Sequence, residues 1–85
     1  MELRIGDPVT TIGGGVDLCT GTDLHRSIAV LERDQLGIVL EIYNQPVTHS
    51  PHQIVRYAKV LSPSGISGWC VSRFLIKYLP GPNRG

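Results

Sequence analysis

Two histidines, His49 and His52, stand three positions apart and could each offer an imidazole nitrogen to a metal ion. A metal shell needs three or four converging ligands, but Pro51 bars the helix that would align this pair, and no acid or cysteine lies nearby in sequence. They read as solvated loop histidines. Asp23, His25 and Ser27 contain the residue types of a nucleophilic triad. Alternate positions on one local segment do not converge as proton transfer from serine to histidine requires. Gly13-Gly14-Gly15 would cradle a phosphate only between a strand and a helix, usually with a Lys-Ser/Thr pair, and Val16-Asp17-Leu18 supplies none of these. These patterns point to no catalytic residue, no metal site and no cofactor. The expectation is a protein that is not an enzyme and has no small-molecule substrate.

The two cysteines, Cys19 and Cys70, lie 51 positions apart and form no Cys-x-x-Cys pair. The opening Met1-Glu2-Leu3-Arg4 lacks the apolar core of a signal peptide. A cytoplasmic protein with buried, reduced thiols is expected, in keeping with the scarcity of disulfides in that compartment. Charge is more informative. Residues 1–41 hold all seven acids and three bases, a net −4, whereas residues 42–85 hold five bases and no acid, a net +5. Such asymmetry marks either an anionic partner or pairing of the two halves, within one molecule or between identical subunits. Five bases over so long a stretch make no dense basic run, which favours pairing. For nucleic acid, Arg56, Tyr57, Lys59, Arg73 and Lys77 would form the surface, with charge supplying affinity and Tyr57 a stacking face. For a protein partner, Trp69, Val71, Arg73, Phe74 and Lys77 combine aromatic and apolar area with cationic rims, the composition of interface hot spots. Trp69 precedes the expected core residue Cys70 and serves either as barrel-end packing or as an exposed anchor.

The elements that must position these residues are strands. The chain of 85 residues, 41% apolar and 18% charged, allows one small domain, and its longest apolar run, Ile28–Leu31, is too short to span a bilayer. Gly6-Asp7-Pro8 opens a first strand over Val9–Ile12, stopped by the glycine run. Residues 13–35 are ambiguous: Thr22 or Asp23 could cap a short helix carrying Leu24, Ile28 and Leu31, or Ile28–Leu31 could be one arm of a hairpin turning at Glu32–Gln35. The extended form is favoured. Leu36–Tyr43 is the strongest strand, with Ile38, Leu40 and Ile42 inward and Glu41 in water. Asn44–His52, with Pro46 and Pro51, reads as a loop. Ile54–Leu61 follows, with Ala58 and Val60 divided between its faces. Ser62-Pro63-Ser64-Gly65 is a tight turn, Ile66–Val71 the returning strand, Ser72-Arg73-Phe74 one 3₁₀ turn and Leu75–Tyr78 the last strand. Pro80-Gly81-Pro82 ends order, leaving residues 80–85 as a flexible tail to a single domain over 1–79.

Gly6-Asp7-x-Val9, Gly37-Ile38-Val39 and Gly65-x-x-Gly68-Trp69-Cys70-Val71-Ser72-Arg73-Phe74-Leu75 together resemble the SH3-like small β-barrel superfamily. The chain is also similar to short bacteriophage proteins of the marine and cyanobacterial phage type. The resemblance implies an all-β, five-stranded SH3-like barrel with a long loop after the first strand and one 3₁₀ turn before the last. Where the superfamily's peptide binders carry proline and tyrosine, this chain has Val71 and Phe74, so polyproline recognition is not implied. The Val-Gln-Ile-Tyr stretch of the plasmid-borne dihydrofolate reductase, an enzyme built on such a barrel, is absent. The expected function is a non-catalytic protein–protein interaction or assembly module. It would dock on a larger complex or self-associate as a homo-oligomer, in host cytoplasm or in a virion. Ribosomal and transcription-elongation members that bind RNA supply the alternative, a nucleic-acid-binding barrel using the basic second half.

Overall fold

Ser62-Pro63-Ser64-Gly65 shows how local chemistry sets up this sheet. Pro63 fixes its own φ, Gly65 takes φ +89°, and the Gly65 amide donates to the Ser62 carbonyl at 2.9 Å. The chain is thereby reversed, and Ser62 adds a second lock by donating from its hydroxyl to the Ile66 carbonyl at 2.8 Å. In the computed structural model, which describes residues 3–47 and 49–79, seven strands result. They are β1 (Pro8–Thr11), β2 (Val16–Cys19), β3 (Ser27–Leu31), β4 (Gly37–Val47), β5 (Ser50–Leu61), β6 (Ser67–Val71) and β7 (Leu75–Lys77). A 3₁₀ turn, Ser72–Phe74, lies between β6 and β7.

All pairings are antiparallel and run in the order β3-β2-β6-β5-β4-β1-β7, a single sheet curled into a half-barrel. Its concave face holds Val9, Leu18, Leu31, Val39, Ala58, Val60, Cys70 and Leu75, with Leu3 closing one end. Gly68 makes the curl compact: a methyl group there would lie 2.8 Å from the backbone and Cβ of Leu18. Only glycine lets β2 cross so closely over β6. Among the described residues no helix is long and apolar enough to cross a membrane.

The sheet is all-β as expected, but it has seven strands where five were expected. The long loop after the first strand contains a hairpin. Ile28–Leu31 is extended, yet its partner is β2, joined through Thr20–Arg26, and the turn after Leu31 leads to a strand it does not pair with. Asn44–His52 is not a loop. β4 and β5 stay paired to Val47↔Ser50, Pro46 sitting opposite Ile54 beside a register shift. Proline is tolerated there because no third strand asks it for a hydrogen bond. A second shift between Val39 and Glu41 changes the phase of β4: before it Val39 is buried while Ile38 and Leu40 face out, opposite to the expected phase, and after it Ile42 packs against the core as expected. Ala58 and Val60, two residues apart, share the concave face and are both fully buried. The 3₁₀ turn falls where the sequence places it, and residues 80–85 lie outside the described residues.

Candidate interaction surface

β6 and the 3₁₀ turn carry four of the five residues expected to meet a protein partner, and strand alternation sends them to different places. Gly68 and Cys70 point into the core, so Trp69 and Val71 point out, and both are half-buried. Trp69 stands opposite Lys59 on β5 and Cys19 on β2. With Thr22, Glu41, Ile42 and Tyr43 it lines an open cleft of about 360 Å³. Tyr43, 47% exposed, stacks on Tyr57 with ring centroids 6.5 Å apart, extending the aromatic surface across β4 and β5.

Phe74 belongs to a different cleft. Together with Val16, Asp17, Leu24 and Val71 it walls a space of about 320 Å³ between the β2–β3 hairpin and the 3₁₀ turn, floored by Cys19 and Cys70. Leu24 reaches this wall with φ +59°, an uncommon conformation for a leucine; the Gly21 carbonyl holds its amide at 3.1 Å. Arg73 lies 5.3 Å from the centre of the Phe74 ring and borders a third cleft with Ile54, Val55, Arg56, Val71 and Ser72. Lys77 is remote from these. It pairs with Asp7 at 3.5 Å and lines an apolar recess with Leu3, Ile12, Leu75, Ile76 and Leu79. Trp69 and Phe74 therefore do not form a single patch. Val71 borders both the Phe74 and Arg73 clefts, while Trp69, on the same face of β6, lines a separate one.

The residues expected to meet nucleic acid are largely engaged within the molecule. Lys59 lies 3.7 Å from Glu41, Lys77 is bound to Asp7, and Arg56 donates to the Leu3 carbonyl at 2.8 Å. Both of these ion pairs join a base of the second half to an acid of the first within one molecule. Tyr57 is occupied by Tyr43.

Burial pushes both thiols up from the ordinary cysteine value. Desolvation leads for Cys70, which reaches about 12 with a smaller push from Cys19; for Cys19, burial is reinforced by Asp17 and Asp23. Both are free and buried, so they are protonated and poorly nucleophilic at neutral pH. Asp23, His25 and Ser27 do not converge. Asp23 accepts from the backbone amide of His25 at 3.2 Å, while the Ser27 hydroxyl lies 3.3 Å from Asp17 and 3.3 Å from the Ala29 carbonyl. His49 and His52 are exposed at the far end of the β4–β5 pair, and no cluster of metal-binding side chains occurs among the described residues. Sequence reasoning missed Tyr43 and Ile54 as surface residues, and between them only Val47 is apolar besides the prolines, so no alternation signals the strands that continue there. Comparison with protein-family models, with curated proteins and with solved structures finds no match to this chain.

Proposed function

We propose that this chain is a non-catalytic protein–protein interaction module of the SH3-like barrel kind, such as a small phage protein uses to dock on an assembly or to self-associate. The observation that carries the reading is the Trp69–Tyr43–Tyr57 surface on the convex side of β6, β5 and β4, beside clefts bordered by Phe74 and Arg73. Exposed and half-buried aromatics, with Arg73 beside Phe74, supply desolvatable area, which is what interface anchors require. Strand order supports the barrel assignment. With the β2–β3 hairpin set aside, five strands remain in the order β6-β5-β4-β1-β7, and their number and the 3₁₀ turn before the last strand are in keeping with what the sequence resemblance implies. The engagement of Lys59, Lys77 and Arg56 with groups of the same molecule weighs against the nucleic-acid reading, because a cation already paired releases fewer counterions on binding phosphate.

Trp69→Ala and Phe74→Ala are expected to weaken association with the partner by about tenfold or more each, a hot-spot loss of at least about 1.4 kcal/mol, while leaving the fold intact. Light scattering on the purified protein and co-purification from particles or lysate read this out, with circular dichroism as the folding control. Unchanged association in both folded variants, or a wild type that is monomeric and captures nothing, would overturn the proposal. Tight binding to labelled RNA or DNA with steep salt dependence would replace it by the alternative.

A further inference from the structure

β1 covers β4 at Gly37 and Ile38, and β6 covers β5 from Tyr57 to Leu61. From Asn44 to Arg56 the β4–β5 pair therefore stands as a two-stranded ribbon with no third strand on either side among the described residues. None of its described side chains is buried, and Ile54 is 64% exposed. A ribbon of that kind is marginal in water by itself, and its open edges are templates for a further strand. Its two edges are not equivalent. Pro46 cannot donate from the β4 side, whereas β5 from His52 to Arg56 contains no proline. On that β5 edge the chain's own β6 ends at Val71 and turns away, leaving a cleft of about 290 Å³ flanked by Arg56 and Arg73.

The opposite charge lies along one outer edge of the sheet. β3 ends the sheet, with Ile28 and Val30 exposed along it, and runs directly into Glu32, Arg33 and Asp34, all exposed. We infer that copies of this chain associate head to tail, the β3 edge of one adding to the His52–Arg56 edge of the next so that Glu32 and Asp34 meet Arg73. The inference rests on the reading of the chain as an interaction module and names its partner as a second copy. Charge selects the direction of pairing. A parallel alignment brings the acidic end of β3 to the arginine end of β5, while the antiparallel one would set Arg26 against Arg73. Two different edges joined this way form a heterologous contact, which closes into a ring or grows into a filament.

Two charge reversals test it. Wild-type protein is expected to self-associate at concentrations up to about 100 μM, the range of small interfaces. Association should weaken in about 1 M salt, where the screening length falls to about 3 Å. Glu32→Arg and Arg73→Glu should each weaken self-association at least tenfold, roughly the cost of a like-charge contact. An equimolar mixture of the two variants should recover it, since every junction in the mixture again joins opposite charges. Sedimentation velocity reads the size distribution, and circular dichroism confirms that both variants fold. Three results would overturn the inference: a monomeric wild type, association insensitive to both reversals, or a mixture no larger than its components. A monomer that still captures a protein partner through Trp69 and Phe74 would sink this inference alone; one that captures nothing would sink the proposed function with it.

Discussion

Gly68 and Cys70 sit two residues apart on the concave face of β6, and each constrains the core in a different way. A β-carbon at Gly68 has nowhere to go, because the Leu18 backbone that it would meet belongs to a paired strand that cannot yield alone. Gly68→Ala is expected to cost about 1–3 kcal/mol, as overpacking of a tight core does, measured by urea unfolding. Cys70 makes stability depend on alkaline pH. Its folded value of about 12 lies above the ordinary 9.0, so the protonated thiol is favoured by the fold. That contribution is complete below about pH 9 and is lost as pH rises towards 12, since the unfolded chain then releases a proton that the folded chain retains. A Cys70→Ala variant should show a shallower fall in unfolding free energy over the same pH window; an identical pH slope in both proteins would refute the assignment. The close approach at Gly68 is not announced in sequence, because the Leu18 that it meets on β2 lies 50 positions away.

At the scale of the element, the β4–β5 ribbon stands apart from the buried core. Between Asn44 and Gln53 no described side chain is buried, so this segment adds little to the apolar area that stabilises the half-barrel. Replacing residues 45–55 by a two-residue Asn-Gly turn, which keeps Asn44 opposite Arg56, is expected to leave stability within about 1 kcal/mol, read from chemical denaturation, while abolishing self-association. Unfolding of the shortened chain would show that the ribbon belongs to the core instead. Ile54–Leu61, Ile66–Val71 and the 3₁₀ turn were legible because turn residues bracket them closely. The ribbon was not legible, because Pro46 and Pro51 signal a loop wherever both sides of a strand must be hydrogen bonded. The inward set of β4 was misread for a related reason: one extra residue at a bulge moves every side chain before it to the other face.

For the whole molecule, shape and charge distribution matter most. The Cα radius of gyration is 13.2 Å and the longest extent 49 Å, against about 12 Å expected for the gyration radius of a compact chain of this length. The open sheet leaves β3 and β7 as its outer strands. Opposite charges in the two halves are partly consumed inside the molecule by Lys59–Glu41 and Lys77–Asp7, which leaves Glu32 and Asp34 at one edge and Arg73 beside another. Exposed ion pairs of this type contribute little to stability, so their main effect is to decide which charges remain for a partner.

The sequence by itself determined the all-β class, the turn at Ser62–Gly65, the 3₁₀ turn, the burial of both cysteines and the opposed charge halves. Each follows from residue type or from spacing within a few positions. Tertiary structure alone decided the number of strands, the partner of β3, the separation of Trp69 from Phe74 and the exposure of the ribbon. Those depend on which distant segment lies alongside, and strand pairing carries no signature in the local order of side chains.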